Sequence, residues 1–376
     1  TSSLVGSEMC IRDRVEQLNK TALKSHGLDS NGQLYKINSF EFYRYEDIIK
    51  KEDDAGYDKT AFEKMLEIKG DSDHTKLIDM LTDLNDYSIG IEDVLKEHFD
   101  EENIVYWMAF QILMGNVDTQ NRNVYLYSPL NSDIWYFIAW DNDGCLMRPE
   151  YELRNFSDQN SWEKGISNYW GNILFQRCLK SRSFREKLND AILDLREYLN
   201  KDMLTSKIES YKNVLKPYLY LMPDAEYEPL TSEQYDQIAA SLPDEIEKNY
   251  QLYLESLETP MPFYIGVPTI DGDKLKFNWD VSYDLDAEDI TYSVEVARDY
   301  LFQDVIYQNT TLTVPEAEMD LPNAGQYFVR VRATNTSGKT QDAFDYYVTD
   351  EGKHYGMKCF YITEDNTVEE DIYEEG

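Results

Sequence analysis

A chain of 376 residues with 42% apolar and 14% aromatic content has material for two or three domains and is too apolar to be disordered. Its 72 acidic against 36 basic side chains give a net charge of −36, which repels phosphate backbones and excludes a nucleic-acid partner. Such a surface suits an extracellular or saline setting or a basic protein substrate, and it serves plain solubility equally well.

Leu4 to Arg14, written back into codons, matches a transposase sequencing adapter read in frame. Residues 1–14, Cys10 included, are therefore expected to be a sequencing scar, with native sequence starting near Val15. From Val15 to about Glu258 the pattern is mainly helical. Thr75 to Leu84 carries Leu77, Ile78, Leu81 and Leu84 at helical spacing. Ile104 to Gly115 is nearly all apolar, the mark of a buried helix, and is short of the about 18 residues that cross a bilayer. Val124 and Leu126, then Trp135 to Trp140, read as two strands of a hairpin around the turn residues Ser128-Pro129-Leu130-Asn131-Ser132. Phe184, Leu188, Ile192, Leu195 and Leu199 form a further helical stripe.

Thr259-Pro260-Met261-Pro262 breaks the helical pattern and reads as a linker. Beyond it the period becomes two: Leu275, Phe277 and Trp279; Tyr292, Val294 and Val296; Tyr327, Val329 and Val331. With Asp-Gly, Pro-Asn and Ser-Gly turns between them, these predict an antiparallel β-sandwich over 263–363. Residues 364–376 are acidic and read as a disordered tail. The four cysteines (Cys10, Cys145, Cys178, Cys359) and four histidines (His26, His74, His98, His354) have neither metal-ligand nor disulfide spacing. The fold class is α+β.

Chemistry concentrates at the hairpin. Asp118 and Asn123 stand five apart at its mouth, and Asp141, followed by Asp143 and Gly144, leaves its second strand. Phosphoryl transfer needs one carboxylate to receive or orient the attacking hydroxyl's proton, and an amide oxygen with a second carboxylate to hold Mg²⁺. A loop–strand–turn–strand–loop unit can bring all three to one rim, and Mg²⁺ suits a site with few oxygen ligands. The same residues also suit plain hairpin-flanking turns, because Asp and Asn bond their own backbone.

Asn116-Val117-Asp118, Asn123-Val124-Tyr125-Leu126-Tyr127 and Trp135-Tyr136-Phe137-Ile138-Ala139-Trp140-Asp141-Asn142-Asp143 resemble the signature of the spore coat protein H (CotH) kinase family. Val15-Glu16-Gln17 resembles the family's hinge strand, Gly32-Gln33-Leu34-Tyr35-Lys36 its next block, and Asn172 to Leu188 a downstream helical segment. The resemblance covers about Val15 to Glu258 and implies a mainly helical, protein-kinase-like lobe with a catalytic β-hairpin. It implies a secreted or surface-located bacterial atypical kinase that moves the ATP γ-phosphate to Ser or Thr of a protein, using Mg²⁺ or Mn²⁺. By the same resemblance Asp118 is the catalytic-loop aspartate, Asn123 and Asp141 the metal and nucleotide ligands, and Asp143 a supporting metal residue. Asn116 stands where ordinary kinases have histidine.

The family's ATP-covering strands, its phosphate-anchoring lysine and that lysine's glutamate partner would lie before Val15. Lys36, after the hinge, is not expected to replace that lysine. The 376-residue chain by itself is therefore expected to bind Mg·ATP weakly and to be inactive. Ala139 stands where the family often has proline. Gly325 to Asn335 with Ser337-Gly338 resembles a fibronectin type III or immunoglobulin-like module, implying a domain that spaces or targets its neighbour. Asp284, Asp286 and Asp289 read as a solvated turn or a Ca²⁺ loop, and Arg330 and Arg332 as outward solubilising charges. A non-catalytic surface or adhesion protein on the same scaffold is the alternative function. A nucleotide-transferring enzyme would share the metal ligands.

Overall fold

The computed structural model describes residues 16–146, 162–226, 230–350 and 352–371. The chain divides into two compact units, Thr1–Leu146 with Asn172–Tyr250, and Met147–Gly171 with Gln251–Gly376. The supposed adapter residues 1–14 and Val15 lie outside the described residues.

In the first unit, helices α1 (Lys20–Ser25), α2 (Lys59–Met65), α3 (Thr75–Asn85), α4 (Ile91–His98) and α5 (Glu101–Met114) precede the hairpin, and α6 (Ile173–Lys180), α7 (Arg182–Tyr198), α8 (Lys201–Leu219) and α9 (Ser232–Ser241) follow it. Strands β1 (Gln33–Ile37), β2 (Leu66–Ile68), β3 (Val124–Ser128) and β4 (Tyr136–Ala139) form one antiparallel sheet in the order β2-β1-β3-β4. The hinge-like Glu16 and Gln17 are not a strand; Glu16 instead meets His26 across 2.7 Å at the start of the chain.

The register of the sheet decides what reaches each face. Lys36 lies opposite Tyr125, which lies opposite Ile138, and the next row toward the rim is Ile37, Val124 and Ala139. Side chains alternate between faces. Leu34, Tyr125 and Tyr127 bury one face with Leu23 from α1. On the other, Phe137 packs against Trp107 and Phe175, whose rings stack at 5.6 Å. Gly32, before β1, has no room for a side chain, because a Cβ there would run into the Ser128 carbonyl oxygen.

Helix α5 is apolar over most of its circumference because it is largely buried, with Glu102 and Tyr106 left exposed. Asp100 caps its first turn by accepting from Asn103 N at 2.9 Å, and Gly115 ends it at φ 63°, a left-handed value that favours glycine. In α3, Leu77, Met80, Leu81 and Leu84 are buried, so Met80 takes a core position that the expected stripe gave to the half-buried Ile78. In α7, Phe184, Leu188, Ala191 and Ile192 are buried, while Leu195 and Leu199 are only half-buried.

The longer segment of the second unit begins within α10 (Glu245–Glu258) and continues into strands. Strands β5 (Thr269–Asp271), β6 (Lys274–Asn278) and β9 (Glu316–Asp320) form a sheet in the order β5-β6-β9. Strands β7 (Ile290–Ala297), β8 (Val305–Leu312), β10 (Gly325–Asn335), β11 (Thr340–Asp342), β14 (Met357–Ile362) and β15 (Val368–Glu370) form a larger one, ordered β15-β14-β10-β7-β8 with β11 beside β10. A separate hairpin joins β12 (Tyr346–Thr349) and β13 (Gly352–Tyr355). Leu275, Phe277, Trp279, Tyr292, Val294, Val296, Tyr327, Val329 and Val331 share one buried cluster, so the alternating residues of both sheets meet as their period indicates.

Several expectations for this unit are corrected. Thr259 to Pro262 is no free tether: all four residues are buried, with Met261 N bonded to Tyr283 O at 2.7 Å and the Ser282 hydroxyl to Met261 O at 2.6 Å. The acidic tail is ordered as far as Asp371, because Val368 pairs with Ile362 and the charge of Glu370 is met by Lys358 at 3.1 Å; residues 372–376 lie outside the described ones. Arg330 grips Glu295 through Nε and Nη2 and covers the Phe302 ring at 4.0 Å, while Arg332 meets the buried Asp342 at 3.0 Å, so both arginines are structural. Asp284 is a buried turn residue: its Oδ1 accepts from Asp286 N and Glu288 N, and its Oδ2 from Asn335 Nδ2 at 3.0 Å.

The segment after the hairpin loop, Trp162 to Gly171, also belongs to this unit. Trp162 donates its indole N–H to Phe344 O at 3.0 Å and meets the Phe344 and Tyr355 rings edge-on; Ile166 N donates to Ser256 Oγ at 3.0 Å.

Candidate active site

Asp118 sits in a one-turn 3₁₀ segment, Val117–Thr119, directly after α5 and Gly115. Its Oδ2 accepts from Asn123 Nδ2 at 2.9 Å, and its Oδ1 meets the Arg122 guanidinium at 2.8 Å. Each carboxylate oxygen has further lone-pair capacity, so both remain able to accept a proton or another donor. The bond to Asp118 uses the Asn123 amide nitrogen and turns its Oδ1 the other way, where no described residue donates to it. Asn123 and Asp141 hold left-handed backbone, φ 57° and 54°, at the two ends of the hairpin. Non-glycine residues in that region cluster where a side chain must be aimed.

The Asp141 carboxyl is raised above the ordinary carboxylate range. Loss of hydration is the first cause; the charge of Asp143 is the next, and a hydrogen bond with Asp143 and the charge of Asp118 add to it. Lys36 pulls the other way. Asp118 and Asp143 thus both act electrostatically on Asp141. Lys36, set aside at the sequence level, joins them across the register from Tyr125.

Three amides stitch the two loops. Asn116 Nδ2 donates to Gln111 Oε1 at 3.1 Å and to Asn142 Oδ1 at 3.4 Å, and Gln111 Nε2 donates to Asn142 Oδ1 at 3.2 Å. Leu146 N donates to Met114 O at 2.7 Å, closing the loop onto the last residue of α5. Burial pushes the Cys145 thiol up to about 12, with Asp143 adding to the rise and the Asn116 amide opposing it. From below, Asn172, the cap of α6, donates to Gln120 O at 2.8 Å and so holds the loop that joins Asp118 to Asn123.

The profile of the CotH kinase protein family matches residues 14–253, more than half of the chain. The chain belongs to the CotH kinase family. No curated protein matches it closely enough to be set beside it. Membership carries a kinase-like character to the region holding Asp118, Asn123, Asp141 and Asp143. Among the described residues no cluster of three or more His, Cys, Asp and Glu side chains has metal-binding geometry, and no helix is long and apolar enough to cross a membrane. The Asn123 amide oxygen and the Asp141–Asp143 carboxylates are hard oxygen donors that fit a divalent cation such as Mg²⁺ or Mn²⁺, since such an ion relieves the repulsion between the two carboxylates.

Sequence reasoning missed Lys36, Arg122, Gln111 and Asn142. Arg122 is four residues from Asp118 and was legible as a local pair. The others meet the site only through strand register or loop closure.

Proposed function

We propose that this CotH-family chain is an atypical protein kinase that transfers the ATP γ-phosphate to a Ser or Thr hydroxyl of a surface or secreted protein. The observation that carries the reading is the bonded Asp118–Asn123 pair placed in the charge neighbourhood of Asp141 and Asp143. Asp118 accepts the hydroxyl proton as its oxygen attacks phosphorus; the bond to the β–γ bridging oxygen breaks and ADP departs. Arg122 and Asn123 fix the plane of the Asp118 carboxylate, so that it faces the hydroxyl without turning. Asn123 Oδ1 and Asp141, supported by Asp143, would hold Mg²⁺ or Mn²⁺, which supplies charge neutralisation to the triphosphate. The second unit, read as a fibronectin type III or immunoglobulin-like module, holds or targets the catalytic unit at an extracellular or cell-surface location.

The test has two arms. Mn²⁺ titration followed by water-proton relaxation is expected to show a site that Asp141→Asn weakens about tenfold or more. Incubation of the chain with millimolar Mg·ATP and Ser/Thr proteins is read for a gain of about 80 Da, the mass of one phosphoryl group, and little or no transfer is expected of the chain by itself. Asp118→Asn is expected to reduce any such transfer about 100- to 10,000-fold while leaving Mn²⁺ bound. Absence of metal binding overturns the reading. Metal binding with no binding of ATP, even at millimolar concentration, assigns the chain the non-catalytic scaffold role.

A further inference from the structure

We propose that the side-chain amides of Gln111, Asn116 and Asn142 are positioning residues that set the spacing between Asp118 and Asp141 across the hairpin mouth, an inference that rests on the kinase reading of that rim. The three come from different elements: the last turn of α5, the loop two residues before Asp118, and the turn directly after Asp141. Gln111 uses both ends of its amide, accepting from Asn116 at 3.1 Å and donating to Asn142 at 3.2 Å, while Asn142 Oδ1 also receives Asn116 at 3.4 Å. Gln111 and Asn116 are fully buried, at 0% and 1% exposure, so neither amide can exchange its partner for bulk water.

Amide chemistry suits the place. An apolar side chain at 111 removes the 3.1 Å acceptor of the buried Asn116 amide, leaving it only the 3.4 Å contact with Asn142, and takes one donor from the exposed Asn142, a loss of about 1–3 kcal/mol at the buried group. A carboxylate at 111 keeps the acceptor for Asn116 but loses the donor for Asn142, and adds charge near Asp141 and Asp143. The amide is neutral and two-ended. Packing closes the arrangement: a Cβ on Gly144 would stand 2.9 Å from Asn116 Oδ1, so the loop lies against the amide with no space between.

The strained backbone shows what the amides work against. Asp141 keeps φ 54°, a value that persists only when its surroundings over-determine it. Its neighbour Asn142 is held by two donors and Leu146 N by Met114 O, so the loop is fixed on both sides of Asp143 and Gly144. Without the amides Asp141 is free to relax to an ordinary φ and its carboxylate leaves the rim.

Gln111→Leu and the milder Asn142→Ala, at an exposed position, are compared with wild type in the full chain by two measurements. Amide hydrogen exchange over residues 141–146 is expected to accelerate at least about tenfold in both variants, while β3 stays protected. The Mn²⁺ affinity of the folded protein, read by water-proton relaxation, is expected to weaken about 10- to 100-fold, as when a partner behind a metal ligand is removed. Unchanged exchange in both variants overturns the proposal. So does lowered melting temperature with unchanged Mn²⁺ affinity, which is the signature of a merely structural role. If wild type binds no Mn²⁺, the kinase reading fails by itself, and exchange alone decides whether the amides hold the loop.

Discussion

Asp345 and Asp141 are both carboxyl groups raised above the ordinary range, and for both the first cause is loss of hydration, yet their surroundings differ. Around Asp345 the partners are matched: Oδ2 accepts from Ile265 N at 2.7 Å and Oδ1 meets Lys358 at 3.2 Å. Lys358 is raised despite its burial, because Asp345 and Glu370 outweigh the loss of water. Since the folded pKa of Asp345 is above its unfolded value, about 3.9 for an ordinary aspartate, its contribution to stability is full below that pH and falls as pH rises through the folded value. Wild type is therefore expected to lose stability relative to Asp345→Asn as pH rises above about 4, until the carboxyl of the folded protein has ionised. Urea unfolding of both proteins at several pH values measures this, and a difference that stays constant or moves the other way refutes it. At the rim the imbalance is the opposite, since three aspartates face Lys36 and Arg122 with a shortage of positive charge. The hairpin that carries Asp118, Asn123 and Asp141 was legible because hairpin geometry follows from strand and turn residues alone. Lys36, Gln111 and Asn142 were not, because no local pattern says which strand lies beside β3 or which amides meet when a loop closes.

Helices and strands with strong periodicity were legible as elements, and the apolar α5 and the β3–β4 hairpin stand where their residues place them. What the pattern concealed was the second task of an element's end. Asn172 caps α6, its Oδ1 accepting from Leu174 N at 3.1 Å, and the same side chain donates from Nδ2 to Gln120 O at 2.8 Å. Aspartate caps a helix as well as asparagine does, but has no donor. Asn172→Asp is therefore expected to keep the cap of helix α6 but to destabilise the chain by about 1–3 kcal/mol or more, because the buried new oxygen faces Gln120 O and Phe40 O with no proton to give them. It should also release the loop from Gln120 to Asn123, read as faster amide exchange there and weaker Mn²⁺ binding. Unaltered exchange in that loop would show that Phe40 N, which bonds Asn121 O at 2.8 Å, holds it without help from α6.

Across the whole molecule the least legible feature is the path of the chain, which enters the second unit at Met147, returns to the first at Asn172 and leaves again after Tyr250. Trp162, Ile166 and Trp170 look like core residues in the sequence, but hydrophobicity does not say which core. Charge is different, because the excess is countable from composition. Many ion pairs are exposed, such as Arg182 with Glu186 at 85% and 63% side-chain exposure, and pairs of that kind contribute about 0–1 kcal/mol. Against them stands the self-repulsion of a net charge of −36, which favours expanded states. Raising NaCl from about 0.01 M to 0.15 M shortens the screening length from about 30 Å to about 8 Å. Screening weakens the exposed pairs and the net repulsion together, and the repulsion is the larger quantity here. The first thermal transition is therefore expected to move upward with NaCl in the presence of a chelator, by about 2–4 °C for each 1 kcal/mol gained in a unit of this size. Scanning calorimetry across that salt range checks the sign. A transition that falls as NaCl rises would mean that the attractive pairs outweigh the surplus of acid.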